Sequence, residues 1–213
     1  MQSIQWNQSL FRRVRMVCVG VFLMGFFIAV FVYANLGSDP CTVMNLGVSG
    51  KLGIPFGVWQ LIVNCVILIF TFSLSRNLIG IGTVVNMVSI GFLVDFFRMI
   101  FARILPAAPA LWLRILLMAV AVVGLSLTAA LYMYPQLGIS PYDSVPVVLA
   151  QKTGIQFRWC RVFWDLLAML IGWLCGSVVG VGTVITAFFL GPLIKYFTNQ
   201  VARKAKFQVE AMI

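Results

Sequence analysis

The sequence predicts an all-α, polytopic transmembrane helical bundle built from two tandem repeats, each with three long spans and one short broken or re-entrant helix. Composition is the first reason. Hydrophobic residues make up 62% of the chain and charged residues 9%, with a mean hydropathy of +1.05, values that fit a lipid-embedded chain. The second reason is that Gly80-Ile81-Gly82-Thr83 returns a hundred residues later as Gly180-Val181-Gly182-Thr183. Gly91 and Phe97 recur at the same offset as Gly191 and Phe197. Upstream the offset is 101: Tyr33, Leu36, Gly37 and Pro40 match Tyr134, Leu137, Gly138 and Pro141, and Lys51 and Gly53 match Lys152 and Gly154. Ordered matches of Gly, Pro, Lys and Tyr at a nearly constant spacing are not expected by chance, and the period is too long for a solenoid.

Taken in order, residues 1–11 form a mixed segment with Trp6 and Phe11 suited to an interface. Repeat 1 covers 12–104, a linker with Pro106 and Pro109 covers 105–111, repeat 2 covers 112–198, and a basic tail covers 199–213. The first apolar run follows Arg12, Arg13 and Arg15. It is longer than a signal-peptide core and recurs as 112–134, so it reads as a retained helix. Long spans are expected at about 14–36, 56–75 and 79–101, and again at 112–135, 157–176 and 180–198. The tail, with Arg203, Lys204 and Lys206, reads either as a membrane-surface amphipathic helix or as a solvated end.

Between the first two spans of each repeat comes a helix start. Ser38-Asp39-Pro40 supplies an N-cap and a proline at the first helical position, and Ser140-Pro141-Tyr142-Asp143 supplies the same with a capping box. The helices that follow, about Pro40–Lys51 and Pro141–Lys152, stop at Gly53 and Gly154. A dozen helical residues rise only about 18 Å, short of a hydrocarbon core of about 30 Å. They are either re-entrant or the helical half of a broken crossing.

Charge placement separates these two. If the short helices do not cross, the repeats are inverted, and Lys51, Arg98, Arg103 and Arg114 face away from the remaining basic residues. If they cross, the repeats are direct and only Arg76 lies opposite. The positive-inside rule favours direct repeats, with both termini cytoplasmic and Lys51, Arg98 and Lys152 beside them.

Gly37–Pro40, Gly138–Pro141, the two Gly-x-Gly-Thr turns and Gly191-Pro192-Leu193-Ile194 together resemble the YczE/YyaS/YitT group of bacterial membrane proteins, closest to its YczE-like branch. The second repeat matches better: in the first, Thr42 takes the place of Asp143 and Phe92 that of Pro192. The resemblance spans nearly the whole chain. It implies a multi-pass protein of the bacterial inner membrane, often suspected of transport, and supplies no substrate and no catalytic residue.

The net charge of +10 would suggest nucleic acid in a soluble protein, but here the basic residues flank apolar runs and answer to lipid, so no nucleic-acid partner is expected. There is no histidine, and the five cysteines never form a CxxC, so neither a metal site nor a cofactor is expected. No nucleotide-binding or hydrolase motif appears, so the chain is not read as an enzyme. Gly80, Gly82, Gly180 and Gly182 open helices and are read mainly as packing glycines, with a phosphate cradle as the weaker reading.

Polar residues at membrane depth are the sharper signal, because an unpaired polar group in hydrocarbon costs several kcal/mol. Gln60 and Asn64 in the first repeat correspond to Arg161 and Asp165 in the second, each pair one helical turn apart. Asn86 corresponds to Thr186. With Pro40, Thr42, Asn45 and Asp143 these form the candidate substrate site. Thr42 leaves its helix end open to an anion, whereas Asp143 and Asp165 suit a proton or cation. Asp95 and Lys195 read as boundary charges. The expected function is a small-solute secondary transporter or permease, whose partners are the bilayer and a small polar solute. The alternative is an accessory or scaffold subunit acting with another membrane protein or as a homo-oligomer.

Overall fold

In the computed structural model, residues 2–107 and 109–210 are described, with side chains described for 10–107 and 109–203. The basic residues Lys204 and Lys206, and Trp6, have side chains outside that set. Every regular element among the described residues is helical. The order is α1 (Gln2–Ala34), α2 (Pro40–Leu52), α3 (Phe56–Leu74), α4 (Ile81–Ile104), α5 (Leu111–Met133), α6 (Pro141–Thr153), α7 (Phe157–Leu174) and α8 (Val181–Glu210), with a 3-10 turn at Arg76–Leu78. The backbone of the tail thus continues α8.

Five stretches among the described residues are long and apolar enough to cross a membrane: Leu10–Ala34, Phe56–Leu74, Ile81–Ile104, Leu111–Met133 and Val181–Arg203. The sixth expected span, α7, is not one of them. It carries Arg158, Arg161 and Asp165, and it separates its faces: Cys160, Asp165, Ala168 and Gly172 are buried, whereas Trp159, Phe163, Leu170 and Trp173 are exposed. On its inner side Arg161 and Asp165 find partners inside the bundle, in each other and in Asp143 and Tyr142.

Helix directions follow from the contacts. Near the start of α1, Arg13 Nε donates to the Pro135 carbonyl at 3.0 Å; near its end, the Ala34 carbonyl accepts from Arg114 Nε at 2.8 Å. Between them Gly20 faces Tyr132, and Gly124 faces Phe27. Rising numbers on α1 meet falling numbers on α5, so the two helices are antiparallel. By contrast, α4 runs with α1: Asn86 lies by Met24, and Phe101 lies by Tyr33, whose hydroxyl donates to the Pro106 carbonyl at 2.8 Å. Helix α3 runs against α4, with Gly57 packed on Gly91 and its N–H on Asp95 Oδ2 at 2.7 Å.

The short helices are capped as their sequences require. Asp39 accepts from Thr42 N at 3.0 Å at the start of α2, and Ser140 Oγ accepts from Asp143 N at 3.2 Å at the start of α6. Each ends on a left-handed glycine, Gly53 (φ 69°) and Gly154 (φ 73°). They start close together in the interior, where Cys41 and Met44 of α2 meet Tyr142 of α6. From there they diverge. Helix α2 runs with α7, placing Val43 and Gly47 on Gly172, and α6 runs with α3, placing Ser144 on Thr71 at 2.7 Å and Gln151 on Ser75 at 2.9 Å. The chain therefore enters as an extended segment and returns as a helix to the end it came from, so the short helices are re-entrant.

This overturns the direct-repeat expectation. Because α1 and α5 are antiparallel and α2 and α6 do not cross, Lys51, Arg98, Arg103 and Arg114 lie at the end away from the termini, and Arg76 lies with the termini. The positive-inside count misled because two of these cations are committed elsewhere. Arg114 is bound to the carbonyls of Ala34 and Asn35, and Arg98 lies 3.5 Å from Asp95. They act as structural donors rather than as free orientation charges.

Two reciprocal clasps join the halves. The Gly82 N–H donates to the Leu137 carbonyl at 2.7 Å at one end, and the Gly182 N–H donates to the Leu36 carbonyl at 2.9 Å at the other. Gly37 and Gly138 hold the matching turns at φ 93° and 106°, a region closed to most side chains.

Candidate functional site

Where α2 and α6 begin, α7 turns its polar side inward. Arg161 lies between two carboxylates, with Nη1 on Asp143 Oδ1 at 2.5 Å and Nε on Asp165 Oδ2 at 2.9 Å. The i, i+4 spacing on α7 supplies Asp165, and the first turn of α6 supplies Asp143. The Tyr142 hydroxyl donates to Asp165 Oδ1 at 2.8 Å, and its ring lies 5.6 Å from both the Arg161 guanidinium and the Trp164 ring. Asp143 is also held by Ser140 Oγ at 2.6 Å.

Asp39 completes the group from the α2 side. Its carboxylate accepts from Thr42 N at 3.0 Å and from Ser38 Oγ at 3.3 Å, and it lies within electrostatic reach of Asp165. This corrects the expected asymmetry. The Thr42 end is not open to an anion, because the residue before Pro40 already puts a carboxylate there. Both short helices thus present a negative charge at their N-terminal ends, which offsets the partial positive charge of the exposed N–H groups.

Of the remaining candidates, Asn45 joins this centre. It is 1% exposed, its Nδ2 donates to the Cys41 carbonyl at 2.9 Å, and its Oδ1 has no partner among the described residues. Asn64 is buried on α3. Gln60 lies instead at the α3–α4 contact against Gly91, Asn86 faces Met24, and Thr186 Oγ1 donates back to the Gly182 and Thr183 carbonyls of its own helix. These three do not reach the charged centre. Gly80, Gly82, Gly180 and Gly182 form the clasps, with Thr83 and Thr183 accepting from the Gly80 and Gly180 N–H groups. Gly82 and Gly182 donate their N–H groups to carbonyls, so neither serves a phosphate.

Two features escaped the sequence. Asp95 is not a plain boundary charge: it caps α3 from a neighbouring helix through Gly57. Its depth on α4 was visible, but no local pattern announces a cap from another helix. Tyr132, with a buried hydroxyl lacking a partner, lies within electrostatic reach of Asp143. Its matched position, Phe31, is apolar, so the repeat alignment gave it no weight.

Two openings approach the centre. A vestibule of about 240 Å³ opens at the end away from the termini; Asn35, Gly176 and Val178 line its mouth, and Gly37, Ser38 and Val43 lie deeper. A smaller cavity of about 50 Å³ lies between α7 and α8, with Asp165 among apolar residues such as Leu166, Val184 and Phe188.

Residues 11–199 match the family described as "Family of unknown function (DUF6198)". The chain belongs to that family. Three curated relatives are similar to the chain over most of both lengths. The chain is 28% identical over 195 residues (91% of this chain, 89% of the relative) to the Bacillus subtilis (strain 168) "Uncharacterized membrane protein YczE". It is 26% identical over 193 residues (91% and 86%) to an "Uncharacterized protein" of Haemophilus influenzae (strain ATCC 51907 / DSM 11121 / KW20 / Rd). It is 20% identical over 186 residues (87% and 92%) to "Uncharacterized protein YyaS" of Bacillus subtilis (strain 168). No solved structure matches. With its apolar helices and its membrane-protein relative, this DUF6198 chain is an integral, multi-pass membrane protein.

Proposed function

We propose that the protein is a non-enzymatic permease or secondary transporter for a small polar solute in the bacterial inner membrane, with both termini cytoplasmic. On this reading its two halves are inverted copies that rock against each other about the centre where α2 and α6 begin. One observation carries the proposal: two re-entrant helices start together inside the bundle, beside the buried Asp165 and its partner Arg161, and a vestibule of about 240 Å³ leads down to Ser38 next to them. Broken backbone at membrane depth is tolerated where it lines a cavity or is held by protein, and paired half-helices about a central site suit alternating access. The half-buried Arg161–Asp143 pair, each side chain 31% exposed, marks the other approach to the same centre.

The test is solute uptake by proteoliposomes across a panel of small polar solutes of both charges. Val178→Trp narrows the vestibule mouth at an exposed position and is expected to cut uptake of the active solute at least severalfold without loss of folded protein. Uptake no greater than that of empty liposomes for every solute would defeat the proposal. The accessory-subunit reading draws on the α7–α8 cavity, where a membrane helix of another protein would cover Asp165. Recovery of a stoichiometric membrane partner, with no uptake, would support it instead.

A further inference from the structure

We propose that the centre binds a small organic cation carrying a guanidinium or primary ammonium group, which exchanges with Arg161 for the surrounding carboxylates. The proposal rests on the transporter reading and narrows its substrate class.

Charge is the first ground. Asp143 and Asp165 hold one cation, Arg161, and Asp39 lies on the α2 side within electrostatic reach of Asp165. Asp143 and Asp165 share that guanidinium, whereas Asp39 has no basic side chain within ion-pair distance among the described residues. A carboxylate left without a countercharge in a membrane interior is costly unless a cation or water reaches it. Asp39 lies one residue behind the vestibule wall: Ser38 lines the vestibule, and its Oγ donates to Asp39 Oδ1 at 3.3 Å.

Unfilled acceptors are the second ground, and they are independent of the charges. Asn45 Oδ1 and the Tyr132 hydroxyl are buried without partners, in residues only 1% and 2% exposed. Asn45 is tied by its Nδ2 to Cys41, which neighbours Asp39, Asp143 and Asp165 electrostatically; Tyr132 feels Asp143. Asn45 Oδ1 lacks the donor it would normally have, and the Tyr132 hydroxyl lacks any partner among the described residues. A ligand with several N–H groups would supply a donor to Asn45 Oδ1.

The chemical class follows from what occupies the site now. The guanidinium of Arg161 is held by two carboxylates and lies 5.6 Å from the Tyr142 ring, the surroundings that recognise a planar or compact organic cation. A metal ion suits the geometry less, since no three Cys, Asp or Glu side chains among the described residues are grouped to ligate one. Arg161 is in effect a tethered occupant. A free cation entering at Asp39 would compete with it, and Arg161 would swing toward its more exposed partner Asp143.

The test uses the full chain in lipid nanodiscs, with Tm followed as methylguanidinium chloride is added. Sodium chloride at matched ionic strength is the control. A saturable rise in Tm with methylguanidinium, and none with sodium, is expected. Asp39→Asn keeps an equally good helix cap, so the fold survives, and should weaken half-saturation about tenfold, the loss of one charge-assisted contact. Arg161→Gln removes the competitor and should tighten it. An equal response to sodium, or an unchanged half-saturation in Asp39→Asn, would overturn the proposal. Uptake of a neutral or anionic solute without methylguanidinium binding would sink this site and leave the transporter reading standing. Binding without uptake of any solute would do the opposite.

Discussion

The Gly182 N–H donates to the Leu36 carbonyl at 2.9 Å, tying the start of the last helix to the loop that follows the first. Its counterpart ties Gly82 to Leu137. At both places the preceding glycine, Gly180 or Gly80, lies so near the same carbonyl that a Cβ would collide with backbone.

Gly80→Ala and Gly180→Ala should therefore destabilise the protein by about 2–3 kcal/mol or more, since backbone cannot yield as a side-chain tip does. Gly50→Ala, in an exposed helical turn with nothing nearby, should be neutral or stabilising by about 0.5–1 kcal/mol. Thermal unfolding in detergent distinguishes them. Equal effects at the three positions would mean that the clasps do not form.

Topology is open to direct labelling. On a cysteine-free background, cysteines at Lys51 and Arg98 should react with an impermeant maleimide from one face of the membrane, and cysteines at Arg76 and Lys152 from the other. Reaction of the Lys51, Arg98 and Lys152 positions from one face, with Arg76 alone reacting from the other, would restore the direct-repeat arrangement.

Asp165→Asn should cost roughly 3 kcal/mol, the low end for breaking a buried pair, because Arg161 keeps 31% of its side chain exposed. Adding Arg161→Gln should recover only part of this, since Asp143 then loses its partner. The triple variant that also carries Asp143→Thr reproduces Thr42, Gln60 and Asn64 of the first half and should recover most of it. Full recovery in the double variant would show that Asp143 is not part of the triad.

Asp95→Ala should lower stability by about 1–2 kcal/mol through loss of its bond to Gly57 N, whereas Asp95→Asn should lower it by less, because the amide oxygen still accepts. Similar losses would assign the effect to the Arg98 contact instead.

The fold class and the helix ends were legible because their causes are local. Pro40 and Pro141 after a capping residue, and Gly53 and Gly154 at the stops, fix α2 and α6 within a residue of expectation. The Arg161–Asp165 pair was legible for the same reason, as an i, i+4 spacing. Asp143 as the third member was not, since its distance from Arg161 along the chain reveals nothing about their meeting in space. Orientation was misread because a cation was counted by its presence, and the sequence does not reveal that Arg114 is bound to carbonyls. Asp39 was seen as a cap but not weighed as a charge, although the two roles belong to one carboxylate.

The clasps also bear on how the chain is made. The Leu36 carbonyl enters the membrane early in synthesis, yet the N–H that satisfies it belongs to Gly182, near the start of the last helix. Until that helix emerges, the first re-entrant loop lacks this bond and rests on the packing of α2 against α3 and α7 alone. A chain stalled before α8 would leave the Leu36 carbonyl without its donor, so the first half cannot complete its turn without the end of the second.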